Sequence, residues 1–144
     1  MSENVGYLDE INGPVPVSSS APLPVTVTGA RKQTALSIPS GGTVSPVFSL
    51  AGTSLVGFFA PPAWTAAALQ IQASIDGVNN WGPITDQYGV AVSSWSALTA
   101  LYPYSVDPVA MLPWSYIRLL SGTVGSPVAQ GADRVFTMIT RPLA

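Results

Sequence analysis

Short apolar runs separated by turn residues constrain the fold of this chain more than any other feature. From about residue 36 onward the runs are bounded by Gly, Pro, Asn or Asp, as at 40–42 and 76–80. Runs of this kind are typical of strands, because helices need longer uninterrupted periodic segments. We expect an all-β antiparallel sandwich of about seven to nine strands, with one helical turn near 107–111. The clearest strand candidates are residues 54–60, 67–74, 115–120 and 134–140.

One of these candidates also carries an expectation about its environment. Residues 67–74 alternate the apolar Leu69, Ile71 and Ala73 with glutamine and serine. Successive side chains of a strand point to opposite faces, so the apolar set shares one face. We therefore expect a half-buried strand whose polar face is solvated.

The N-terminal residues differ in composition from the remainder. We divide the chain into an extended Pro/Ser-rich arm (1–34) and a β-sandwich domain (35–144). Closely spaced prolines in the arm fix φ and remove backbone donors, which favours extended conformation. Such a segment can remain a tail, or it can become ordered on assembly by lying on another surface or a sheet edge. We expect an assembly arm with contact residues Val15, Val17, Leu23, Val25 and Val27.

The low charge and two missing residue types narrow the function. Charged residues make up 8% of the chain, the net charge is −2, and there is no histidine or cysteine. Typical soluble domains carry about 25% charged residues. Zinc sites and histidine-assisted nucleophiles would lack their usual ligands and base. The five cationic residues are scattered, which argues against a nucleic-acid footprint. No apolar stretch is long enough to span a membrane. We therefore expect neither a nucleic acid nor a membrane as a partner.

The carboxylates of the domain do not form an evident catalytic pair. Two of them precede turn residues, in Asp76-Gly77 and Asp107-Pro108. Glycoside hydrolysis needs two carboxylates at one site, and nothing in the sequence pairs these. Calcium in the 76–80 loop would have one carboxylate ligand, which favours a plain turn. We expect no enzyme activity, no cofactor and no metal site. The four carboxylates are Asp76, Asp86, Asp107 and Asp133.

Tryptophans close to turns are the strongest functional signal. Aromatic side chains at loop ends can stack on sugar rings, anchor a protein interface or close the end of the core. Sugar recognition also needs polar partners, which Asn79, Asn80 and Gln87 can supply. The chain has four tryptophans, and Trp114, which follows Pro113, is not among the candidates. The candidate glycan or interface residues are the other three, Trp64, Trp81 and Trp95.

Three sequence blocks resemble small virion proteins of tailed bacteriophages. They are IPSGGT at 38–43, LVGFFAPPAWTAAALQIQASIDG at 55–77 and YIRLLSGT…PVAQGADR at 116–134. The PLPVTV segment at 22–27 is similar to the extended N-terminal segments of phage head proteins. The ASxDG…W…YIRL pattern, beginning at Ala73, is similar to discoidin-type jelly-roll domains, which often bind glycans or lipids through loops at one end. The resemblance implies a jelly-roll-like sandwich on a phage particle.

The leading hypothesis is a capsid cement or decoration protein that stabilises the shell by bridging subunits of the major capsid protein. Apolar area buried between neighbours would supply the mechanism. The resemblance further implies a homotrimer on the capsid surface of the virion, assembled in the host cytoplasm. The alternative is a carbohydrate-binding jelly-roll module of a head fibre or tail that aids host attachment.

Overall fold

The computed structural model describes residues 30–143 of the 144-residue chain. Nearly all of the regular structure in this part is β-strand, with one short helix, α1 (Pro108–Met111), between the seventh and eighth strands. The helical turn expected near 107–111 is confirmed. The strands are β1 (Lys32–Ile38), β2 (Phe48–Ser49), β3 (Thr53–Phe59), β4 (Leu69–Ser74), β5 (Gly82–Pro83), β6 (Ser94–Trp95), β7 (Pro103–Ser105), β8 (Tyr116–Thr123), β9 (Ser126–Pro127) and β10 (Arg134–Pro142).

The strands form two antiparallel sheets, which confirms the all-β sandwich predicted from the turn-punctuated pattern. The first sheet has the order β1-β10-β3-β7. The second has the order β9-β8-β4-β5, with β2 also pairing with β8 and β6 also pairing with β4. The first and last long strands, β1 and β10, are therefore neighbours.

The core lies between the sheets and takes every second side chain of the long strands. On β10 these are Phe136 and Met138, and on β8 they are Ile117 and Leu119. Period-2 alternation explains why such strands form from runs that are only half apolar. Phe58 of β3 lies at the centre, with its ring 5.7 Å from that of Phe136 in an edge-on arrangement. Such pairs add stability beyond the area they bury.

The prediction that residues 67–74 form a strand with a solvated polar face is wrong about solvation, because all six residues of β4 are buried. Gln72 is 3% exposed and accepts a 2.9 Å hydrogen bond at Oε1 from Nε of Arg118. The Ser74 hydroxyl donates to the carbonyl of Asn79 at 2.6 Å. The alternation therefore predicted the strand correctly but not its solvation. A buried polar side chain with a partner leaves the same alternating pattern as a solvated one.

The first strand begins inside the region assigned to the arm. β1 starts at Lys32, which lies opposite Thr140 of β10, so residues 32–34 belong to the first sheet. Residues 1–29 lie outside the described part of the chain. The proposed arm contacts lie there as well: Val15, Val17, Leu23, Val25 and Val27.

A buried glutamine connects three separate segments of the chain. Gln130 is 1% exposed, and its Oε1 accepts from the backbone N–H of Thr65 (2.9 Å) and from Nε of Arg134 (3.0 Å). Its Nε2 donates to Oγ of Ser121 (2.8 Å) and to the Thr65 carbonyl (3.2 Å). Its backbone carbonyl accepts from the N–H of Gly41 (2.7 Å). These residues come from the segments 38–43, 55–77 and 116–134. Gln130 therefore joins the three segments and closes the sandwich there.

Candidate interaction surface

The carboxylates of the described chain stabilise turns. Asp86 Oδ1 accepts from the backbone N–H of Tyr88 (2.8 Å) and from a second N–H of the same loop. Asp107 is the N-cap of α1, and its Oδ1 accepts a backbone N–H from the first turn at 3.0 Å. Asp133 Oδ1 accepts from the backbone N–H of Ser40 at 2.7 Å. Asp86 and Asp107 thus satisfy backbone donors of their own turns, whereas Asp133 satisfies a donor of the distant 39–42 turn.

Asp76 organises the 76–80 loop in the same way. Its Oδ1 accepts from the backbone N–H groups of Asn79 (2.9 Å) and Val78 (2.8 Å). It also lies 3.0 Å from the Ser74 hydroxyl, whose one proton it shares with the Asn79 carbonyl. These bonds, led by the one from Asn79, lower the pKa of the Asp76 carboxyl from 3.8 to about 2. Within the described residues, no three or more Asp and Glu side chains come together in a group that could hold a metal ion.

Two of the three candidate tryptophans pack on the aromatic core. Trp64 lies edge-on to Phe136, with ring centroids 5.5 Å apart, and its indole N–H donates to the carbonyl of Ala67. Trp95 lies edge-on to Phe58 at 5.0 Å. Both are partly buried against the core. In this structure they close the sandwich.

The third candidate, Trp81, lies on the outer side of the second sheet. The guanidinium carbon of Arg118 stands 4.6 Å from the centre of its ring, a cation–π contact. Its indole N–H donates to the carbonyl of Val78 at 3.3 Å. Burial lowers the pKa of the Arg118 guanidinium. Because Trp81 contacts Arg118 whereas Trp64 and Trp95 pack on the core, the three candidates do not form a common site.

Trp114, which the sequence did not select, lies between two grooves. The chain turns after α1, and the backbone N–H of Trp114 donates to the carbonyl of the fully buried Met111 at 3.1 Å. The larger groove has a volume of about 470 Å³ and the smaller about 280 Å³. Trp114 and Thr85 line both. Polar residues named from the sequence do meet an aromatic ring here, since Gln87 lines the larger groove and Asn80 the smaller.

Large side chains at the rims of these grooves are exposed. Tyr88 and Val109 line the larger groove and are 80% and 68% exposed, and Ile75 lines the smaller and is 87% exposed. Asp86 and Asp107 line the larger groove together. The structure therefore places in one groove two carboxylates that the sequence did not connect. Trp114 itself is partly buried against the core. We refer to these four groove-lining residues, Ile75, Tyr88, Val109 and Trp114, as the Trp114 surface.

A second surface is the outer face of the first sheet. The pairing register places Val135 opposite Ser37, and Thr137 opposite both Ala35 and Phe59, so these side chains share one face. Val135 and Phe59 are 48% and 41% exposed. We call it the neutral sheet face, because none of its members is charged. They are Gln33, Ala35, Ser37, Gly57, Phe59, Pro103, Ser105, Val135, Thr137 and Ile139.

Comparison with protein-family models, curated proteins and solved structures finds no match for this chain. The interpretation of both surfaces therefore depends on their own chemistry. Within residues 30–143, no helix is long and apolar enough to cross a membrane.

Proposed function

We propose that this chain is a non-enzymatic structural protein of a tailed-phage virion, a capsid cement or decoration protein that bridges subunits of the major capsid protein. The observation that carries the proposal is the neutral sheet face. Interface centres are depleted of charged side chains, and arginine is enriched in interfaces. The face fits this description in two ways. Its members are uncharged, and Arg141 follows Ile139 at the next outward position of β10, at the edge of the neutral sheet face.

The polar chemistry of the domain also supports a structural role. The carboxylates accept backbone hydrogen bonds in turns, as Asp86 and Asp107 do. With 8% charged residues, the chain has few ions to desolvate when its surface is covered. Contacts of the neutral sheet face would therefore gain apolar and dispersion energy with little electrostatic cost.

The path of the chain supports the jelly-roll-like part of the proposal. β1, β3, β7 and β10 belong to the first sheet, and the other six strands belong to the second. Within residues 30–143, the chain thus crosses between the sheets at six of its nine strand-to-strand connections. Double-sheet jelly rolls built from two Greek keys have this kind of connectivity and are common in viral capsid and lectin domains.

A charge placed on the neutral sheet face tests the proposal. Full-length protein is mixed with shells assembled from the major capsid protein of the same genome, and co-sedimentation and native mass are measured. We expect the unmodified chain to be a trimer that binds shells. Val135→Glu should weaken shell binding at least about tenfold, because it buries an unpaired charge. Val124→Glu is the matched control, since Val124 is 61% exposed and lies outside the face.

Two results would overturn this function. One is a full-length chain that does not bind shells. The other is Val135→Glu binding as tightly as Val124→Glu, which would remove the neutral sheet face from the interface. The arm is tested in the same assay by changing its five apolar residues to serine, which should also weaken shell binding. Those residues are Val15, Val17, Leu23, Val25 and Val27.

A further inference from the structure

The two grooves beside Trp114 have the size and continuity of a binding site for a chain-like ligand. The larger, at about 470 Å³, is within the range of small-molecule clefts. The smaller, at about 280 Å³, shares Thr85 and Trp114 with it. A ligand lying in both grooves would therefore pass Thr85 and Trp114, the two residues that the grooves share.

A rigid turn presents a second aromatic ring to the same space. The carboxylate of Asp86 holds the N–H groups of Tyr88 (2.8 Å) and Val90 (3.0 Å). The backbone N–H of Gly89 donates to the Asp86 carbonyl at 3.0 Å. Although the Tyr88 side chain is 80% exposed, its backbone is thus fixed before any ligand arrives. Preorganisation of this kind lowers the entropy cost of binding.

The polar groups of the larger groove select a ligand that donates hydrogen bonds. Oδ1 of Asp86 and Oδ1 of Asp107 accept the backbone bonds of their turns, and no hydrogen bond from residues 30–143 engages Oδ2 of either. Gln87 and Thr85 add an amide and a hydroxyl. A purely apolar ligand would desolvate the two carboxylates without replacing their bonds to water, which is costly.

The smaller groove distinguishes between two donor-rich ligands. A basic peptide would match the carboxylates of the larger groove. The smaller groove has no charged lining residue, however, and offers the amide of Asn80 together with apolar Ile75, Ile84 and Pro83. A saccharide suits both grooves, because its hydroxyls donate to carboxylates and amides. Its C–H faces also pack on the electron-rich faces of tyrosine and tryptophan.

We propose that the Trp114 grooves bind a neutral oligosaccharide, with Tyr88 and Trp114 as stacking platforms and Asp86 and Asp107 as hydrogen-bond acceptors. This activity is separate from the neutral sheet face. It therefore holds or fails independently of the virion role.

The test screens the full-length protein on an array of neutral oligosaccharides and titrates the strongest hit by calorimetry. Tyr88→Ala should weaken binding at least about tenfold, which corresponds to about 1.4 kcal/mol. Tyr102→Ala is the matched control, because Tyr102 is 59% exposed and lines neither groove. Asp107→Asn should also weaken binding, since asparagine keeps the helix cap but replaces one acceptor oxygen with an N–H donor.

Each of the remaining outcomes overturns the proposal. The array can show no binding at concentrations of about 1 mM, where even weak sites are occupied. Tyr102→Ala can lose as much affinity as Tyr88→Ala. Binding can disappear at about 0.5 M salt and be displaced by a lysine-rich peptide, which would assign the grooves to a basic peptide. Cleavage of the bound saccharide that Asp107→Asn abolishes would show that this carboxylate takes part in hydrolysis and is not a hydrogen-bond acceptor alone, which overturns the assigned role.

Discussion

Replacing Gln130 with alanine removes the side chain that ties three separate parts of the chain to the end of the sandwich. Four hydrogen bonds are lost: two with the backbone of Thr65, one with Arg134 and one with Ser121. None of these partners is adjacent to residue 130 in sequence. The substitution therefore tests whether a single buried amide holds the 61–68 loop on the core.

The magnitude follows from how well water can replace each lost bond. Thr65 and Arg134 are half-buried, so water can satisfy them, and the net loss is about 1 kcal/mol for each amide or guanidinium bond. Ser121 is 0% exposed, and its hydroxyl would be left without its amide donor, a penalty of about 1–3 kcal/mol. We expect Gln130→Ala to lower the free energy of unfolding by about 4–6 kcal/mol. For a domain of this size, that lowers Tm by about 16–24 °C.

Urea unfolding of the full-length chain, followed by tryptophan fluorescence, measures this loss. The denaturant m value should stay unchanged, because the variant alters stability and not the area exposed on unfolding. Gln87→Ala is the control. Gln87 is exposed and makes none of the hydrogen bonds of Gln130, so the change should be within about 0.5 kcal/mol.

A double-mutant cycle tests the reasoning itself. If the stranded hydroxyl of Ser121 causes much of the loss, then Ser121→Ala should relieve part of it in the Gln130→Ala background. The double variant should be more stable than additivity predicts by about 1 kcal/mol. Strict additivity, or a loss below about 1 kcal/mol for Gln130→Ala alone, would refute the proposed closure.

Two further predictions concern the turns. Gly122 has φ +94°, and an added Cβ would lie 2.5 Å from the carbonyl oxygen of Ser126, so Gly122→Ala should prevent stable folding. Gly125 lies in the same hairpin, but an added Cβ there meets nothing within 4 Å, so Gly125→Ala should be tolerated. Thermal unfolding of the two variants compares their stability. The bonds led by the Asn79 N–H depress the pKa of Asp76, so this carboxylate stabilises the fold above its unfolded pKa of 3.8, and the contribution is lost as the pH falls toward about 2. Asp76→Ala should lower stability at pH 7 and flatten the pH dependence between pH 3.8 and about 2, and equal slopes in both proteins would contradict this assignment.

The long strands could be predicted because their signal is local. Residues 54–60, 115–120 and 134–140 match β3, β8 and β10 to within one to three residues at each end. Alternation and flanking turn residues are sufficient there. β1 was missed in part because its first residues, from Lys32, are polar and resemble a loop. It forms because β10 supplies a partner about a hundred residues later in sequence, which no local pattern records.

The two surfaces could not be predicted because each depends on non-local pairing. Val135, Thr137 and Phe59 become one uncharged face only when the antiparallel register is known, since a shift of one residue would turn each outward side chain inward. Trp114 has no special neighbour in sequence, yet the fold places it between the 85–88 loop and the 73–84 segment. Trp64 and Trp95 follow similar turn signals and, like Trp114, pack partly against the core, but they line neither groove. Topology therefore determines which of these tryptophans borders a groove, and turn signals near each tryptophan do not distinguish them.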